Sequence, residues 1–168
     1  MKTITVNEHY QKGYQYSLLA PAGKQFDPEF KPQLTPSEMI KLGVFGGCYF
    51  TVPPKEFPSE WFKGARFSKS GKPDGSLNYF KLNASQSLDT WQKNGWIYFE
   101  DPLGWFLWYC RYYMGRRIPE EDSRQIKRWI NNKRHIAQLQ KNCVKSDITC
   151  RPKQRQALLH WAYDSRVL

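Results

Sequence analysis

The chain is short of several things, and each shortage narrows what it can do. No apolar run approaches the ~20 residues needed to cross a membrane. The opening residues, MKTITVNEHYQKG, lack the apolar stretch of a secretory leader. The expectation is a cytoplasmic protein without a membrane partner, nuclear or nucleoid-associated if such a compartment exists. Cysteine is scarce: Cys48, Cys110, Cys143 and Cys150, with no CxxC pair. In a reducing compartment the default is free thiols. There is no HExxH, no nucleophile elbow and no Gly-Lys-Ser/Thr that would complete a Walker A loop. No cofactor is implied, no paired acids form a defensible catalytic set, and no internal repeat is evident.

The most informative shortage is local. Residues 1–110 contain one arginine, Arg66, among 12 basic residues, and 10 acids nearly balance them. Residues 111–155 hold 13 Lys and Arg against 4 acids, so an excess of nine out of a net +11 sits in this block. Eight of the 13 are arginine. Lysine would serve solubility equally well. Arginine adds a planar fork that matches phosphate and carboxylate and stacks on aromatic rings. The switch from lysine to arginine therefore points to recognition.

Aromatic residues make up 16% of the chain, too many for a disordered tail. A length of 168 residues suits one domain. Local patterns predict α+β: an irregular N-terminal part (1–100) with a few short strands, packed on a C-terminal three-helix bundle (101–166). MKTITV and YQYSLLA read as strands, as do LNYFKLNAS and GWIYFE. Thr35-Pro36-Ser37-Glu38 reads as a capping box with proline at the first helical position, and Gly43 as the stop. Asp101-Pro102 reads as the start of an aromatic helix in which Trp105, Trp108, Tyr109 and Tyr112 share a face. A second helix is expected from Pro119 to about Asn142, and a third from Pro152.

Four constellations bear on function. The first is the basic helical surface. Arg111, Arg116, Arg117, Arg124, Lys127, Arg128, Lys133 and Arg134 could line one groove, with Arg151 and Arg155 at the start of the third helix, where free amides also favour phosphate. The bland alternative is a solvated charged face. The second is aromatic. Trp105, Trp108, Trp129 and Trp161 read as core, which leaves Trp61, Trp91 and Trp96 as candidate stacking platforms for bases. The third is His135, Cys143, Cys150 and His160, whose spacing is not a common zinc pattern. No metal is assigned, and a Cys143–Cys150 disulfide under oxidising conditions is an alternative. The fourth is LGVFGG at 42–47. It loosely resembles the turn of a helix-hairpin-helix element, but its glycines are separated by two residues where that element has one, and they read as turn-forming.

These features predict a nucleic-acid-binding protein, with DNA favoured over RNA and arginines as phosphate clamps. Two alternatives stay open. One is an enzyme acting on nucleic acid or nucleotides, with an acid or histidine in a pocket beside Arg111, Arg116 or Arg117. The other is an adaptor for an acidic protein. The segments LTPSEMIKLGVFGGCYF, EDPLGWFLWYCRYYMGRR, RQIKRW and RQALLHWAYDSR resemble those of a family of small microbial proteins. The resemblance spans roughly residues 30–166 and implies no activity, cofactor or site.

Overall fold

The computed structural model describes residues 1–168. The architecture is α+β, with a two-stranded antiparallel sheet at the N-terminus and helices in the remainder. β1 (Lys2–Glu8) and β2 (Gln11–Leu18) pair as a hairpin, with Lys2 opposite Leu18 and Glu8 opposite Gln11. Val6 and Tyr16 are buried while their neighbours along the strands are more exposed, the period-2 pattern of a sheet with one covered face.

α1 (Pro36–Leu42) begins as its sequence requires. The Glu38 amide donates to Thr35 Oγ1 at 3.1 Å, and the Thr35 amide donates to the Glu38 carboxylate at 3.0 Å. Single 3-10 turns follow at Phe45–Gly47, Ser59–Phe62 and Gly75–Leu77, and then α2 (Leu88–Lys93), capped by Ser87. LNYFKLNAS and GWIYFE form no strands. Their backbone groups are committed elsewhere: the Tyr79 amide donates to the Gly43 carbonyl and the Phe80 amide to the buried Gln156 side chain. Strand propensity is realised only where a partner strand lies in register.

The C-terminal third contains four helices where the sequence suggests three: α3 (Trp105–Met114), α4 (Pro119–Asn131), α5 (Lys133–Asn142) and α6 (Pro152–Leu159). α3 is the centre of the core. Every residue from Trp105 to Tyr112 is buried, more than the predicted aromatic face alone. It starts three residues after Pro102, because Asp101 does not cap it and Gly104 does so with φ 95°. At its far end Gly115 adopts φ 122°, and a Cβ there would lie 2.1 Å from the Ala20 carbonyl oxygen. Only glycine allows that approach of the hairpin's exit strand.

The helix expected to continue to Asn142 breaks at Asn132. Its side-chain amide donates to the Arg128 carbonyl at 3.0 Å, a local bond of the kind that competes with regular backbone pairing. On α5 Ala137 is exposed and Leu139 is buried. Asp122 joins α3 to α4 by accepting the Trp108 indole N–H at 2.8 Å and the Ile118 amide at 2.9 Å. Trp129 stacks flat on Tyr163, with centroids 4.8 Å apart. Cys143 and Cys150 are joined in a disulfide across the α5–α6 loop, contrary to the free-thiol expectation. Cys48 and Cys110 remain free. No helix is long and apolar enough to cross a membrane.

Candidate functional site

The structure divides the ten predicted basic residues into three groups. Arg111, Arg116 and Arg155 are buried. Arg111 forks onto Glu56 at 3.0 and 3.1 Å, reaches Asp101 at 3.0 Å, and also donates to Gln11 and the Glu100 carbonyl. Arg116 forks onto the other side of Asp101 at 2.6 and 2.8 Å. Glu56 further accepts the hydroxyls of Tyr10 and Tyr16. This network locks the hairpin to α3. Arg155 binds the carbonyls of Cys150, Ser165 and Leu168 at 2.7–2.9 Å and so secures the disulfide loop. These three guanidinium groups are inside the protein and are not phosphate clamps. Releasing one would strand a buried charge, at several kcal/mol.

Arg117 and Arg124 are partly exposed but occupied. Arg117 lies 3.9 Å over the Tyr112 ring and donates to four main-chain carbonyls, those of Lys24, Gln25, Tyr112 and Arg116. Arg124 forks onto Glu121. The third group is Lys127, Arg128, Lys133, Arg134 and Arg151, none of which forms an ion pair.

Arg128 and Arg134 meet at a cleft of about 430 Å³. The break at Asn132 brings this about, because it places the end of α4 and the start of α5 on the same rim. Trp91 and Trp96 form part of one wall, and Trp105, Phe106, His160 and Trp161 form much of the rest. Asn131, Asn132, Ser85 and Gln86 add neutral polar groups, and no carboxylate lines the cleft. Gly104 admits the wall: a Cβ there would meet Ile97 at 3.1 Å and Trp91 at 3.5 Å.

Two features distinguish this cleft from a packing defect. First, Arg128 carries a weakly compensated charge. It donates to the Trp96 carbonyl and Gln125 Oε1 and lies 5.3 Å from the Trp161 centroid. Burial, with Arg124 nearby, pushes its pKa down to about 10. An arriving anion would relieve that. Second, His160 is buried, stacked on Phe45 at 4.4 Å, and neither ring nitrogen has a hydrogen-bond partner. Burial holds its pKa down to about 3, so the ring is neutral at pH 7 and offers one donor and one acceptor. Trp105, which also lines the cleft, has a buried indole N–H that is unpartnered too. Arg116 Nε, Gln125 Nε2, Trp129 Nε1 and Arg155 Nη2 share that condition but belong to side chains that do not line the cleft.

Other sequence readings are redistributed. Of the three candidate platforms, Trp91 and Trp96 line the cleft, whereas Trp61 is buried and stacked on Phe57. Trp105 and Trp161, read as core, do pack in or against it, Trp105 buried and Trp161 half-buried, and both also line the cleft. The glycines of LGVFGG do not offer a free amide nest, because the Gly46 amide donates to Asn78 Oδ1 at 2.7 Å. The set His135, Cys143, Cys150 and His160 is not brought together: the sulfurs bond each other, His135 contacts Gln154, and His160 is in the cleft. This cleft lies beside Arg128 and Arg134 and holds a histidine without an acid; a second concavity, of about 510 Å³, is lined by Glu8 and Glu56, and Glu56 binds Arg111. In sequence, the Asn131-Asn132 pair inside a helical stretch and Gly104 before the aromatic run were the signals for it.

The chain matches no protein-family model, no curated protein and no solved structure.

Proposed function

We propose that the protein binds nucleic acid, with DNA the expected form, through the exposed basic residues of α4, α5 and the start of α6. The observation that carries this reading is the meeting of unpaired Arg128 and Arg134 with an aromatic cleft free of acids. Between Ser123 and Tyr163 the chain has one acid, Asp147, against ten Lys and Arg. Lys127 lies one turn before Asn131 on the same side of α4, and Lys133 lies over the Trp129 ring beside Arg134. Arg151 sits near α5 through Gln154, which contacts His135. Phosphates tracking this rim would displace counterions and gain sequence-independent affinity.

The test is fluorescence anisotropy with single-stranded and duplex oligonucleotides of DNA and RNA across a salt series. With about four phosphate contacts, single-strand affinity should fall about 50-fold between 50 and 200 mM salt. Replacing Arg128 and Arg134 together by alanine should flatten that slope. An affinity independent of salt, or no binding at 50 mM salt, overturns the proposal, and selective capture of an acidic protein would favour an adaptor instead.

A further inference from the structure

The basic rim accounts for phosphate. It does not account for the aromatic walls or for the three buried, unpartnered polar atoms of two residues that line them. A buried donor or acceptor without a partner is destabilising, because it has given up its hydrogen bonds to water and gained none in return. Three of the seven such atoms belong to two residues of one cleft, His160 and Trp105, as a site for a polar, flat ligand would show. The occupant must satisfy three conditions. It must be planar, to lie among indole and phenyl rings. It must present an acceptor to the Trp105 N–H and complementary groups to a neutral imidazole. It must carry or adjoin negative charge, to use Arg128 and Arg134 where no acid competes. A volume of about 430 Å³ falls in the range of small-molecule sites and is too small for a duplex.

Resting on the nucleic-acid reading, we infer that the cleft takes a single unstacked nucleobase, with its edge hydrogen-bonded to His160 and the Trp105 indole and its phosphate on Arg128 and Arg134. Two sources share that chemistry: one base splayed out of a bound strand, and a free nucleotide. Trp91, Trp96 and Trp161 supply the stacking faces, which any base can use. His160 and Trp105 supply the hydrogen bonds, which bases can use to different extents. The site therefore discriminates among bases, whereas the rim does not.

Tryptophan fluorescence tests this on the intact chain, because four of the seven tryptophans line the cleft. The four nucleoside monophosphates are titrated, with inorganic phosphate and the unphosphorylated nucleosides as controls. Nucleotides should quench the emission, at affinities that differ among the bases, and phosphate alone should not. Trp105→Phe keeps the ring and removes only the N–H, and should weaken the preferred nucleotide about fivefold. His160→Phe should do the same and should reduce the spread among bases. Long-range nitrogen–proton NMR of the imidazole reads the contact without a variant, because both ring nitrogen signals shift if the base binds there.

The strand arm compares a 12-mer with the same 12-mer made entirely of abasic sugars. If the cleft holds a base, the abasic strand binds more weakly with an unchanged salt slope. An abasic strand that binds equally well, with unmoved imidazole signals, overturns the cleft inference and leaves the nucleic-acid reading intact. Nucleotide binding without strand binding supports the cleft and overturns the strand reading. Equal quenching by phosphate and nucleotide also overturns the cleft inference.

Discussion

The two ends of α3 face opposite conditions. Its C-terminal half carries Arg111, and Arg116 follows just beyond. Both are sealed under the hairpin and matched by Glu56 and Asp101, two positive charges against two negative ones. Its N-terminal end carries Trp105 and Phe106 on the cleft, beside a histidine with two unpartnered nitrogens and arginines without acids. Both ends are rich in aromatic and polar groups, and both contain groups that nucleic-acid binders use. Polar satisfaction separates them. At one end most of the hydrogen-bonding capacity is consumed within the protein, and the result is architecture. At the other end capacity is left over, and the result is a site.

The largest test of this contrast is Asp101→Ala, which leaves two buried guanidinium groups short of a partner. Breaking a buried pair costs about 3–5 kcal/mol, and the urea midpoint should fall accordingly, with the melting temperature down by roughly 10 °C. Nucleotide binding by the folded fraction should be unchanged. A loss below about 1 kcal/mol would mean that the two ends do not differ in kind.

Acid probes the other end. His160 has a pKa of about 3 in the folded protein, against its ordinary value of 6.5 when unfolded. Between these values the unfolded chain binds a proton that the folded chain refuses, so stability rises with pH across the window. It is fully present above pH 6.5 and declines as pH falls toward 3. The loss between pH 7 and pH 4 should be of order 3 kcal/mol. Urea melts of the wild type and His160→Phe at both pH values isolate it, because the carboxylates titrate alike in both chains.

Reduction of Cys143–Cys150 should have a smaller effect. The half-cystines are seven residues apart, and loop-closure entropy puts the stabilisation at about 2.5 kcal/mol. Calorimetry with and without reductant measures it, and cleft affinity should not follow. Arg134→Ala should alter stability least, by under about 0.5 kcal/mol, because its side chain is exposed and forms no ion pair. Its effect should appear in strand affinity and salt slope, whereas Asp101→Ala shows the reverse pattern.

Local signals were legible and long-range ones were not. The capping box at Thr35 and Glu38, the proline starts of α4 and α6, and the two N-terminal strands all depend on neighbours a few residues apart; that the strands pair as a hairpin did not show in the sequence. The aromatic stripe of α3 is likewise local in origin. Asp101 was misleading because it has the composition of a cap, yet its oxygens are taken by guanidinium groups 10 and 15 residues further on. The reading of LNYFKLNAS as a strand failed because propensity does not disclose whether a partner strand exists.

By itself the sequence determined the α+β class, the helical nature of the last third and the confinement of excess charge to residues 111–155. Periodicity, caps and charge counts are properties of short stretches, so short stretches disclose them. Only the tertiary structure decided which arginines face solvent. Arg111 is neutralised by Glu56, 55 residues away, and also reaches Gln11, 100 residues away. Only the tertiary structure interrupted a predicted continuous helix at Asn132 and placed Arg128 and Arg134 at an aromatic cleft. Whether a charge becomes structure or surface depends on what folds against it, and that is set by contacts the chain makes with its own distant parts.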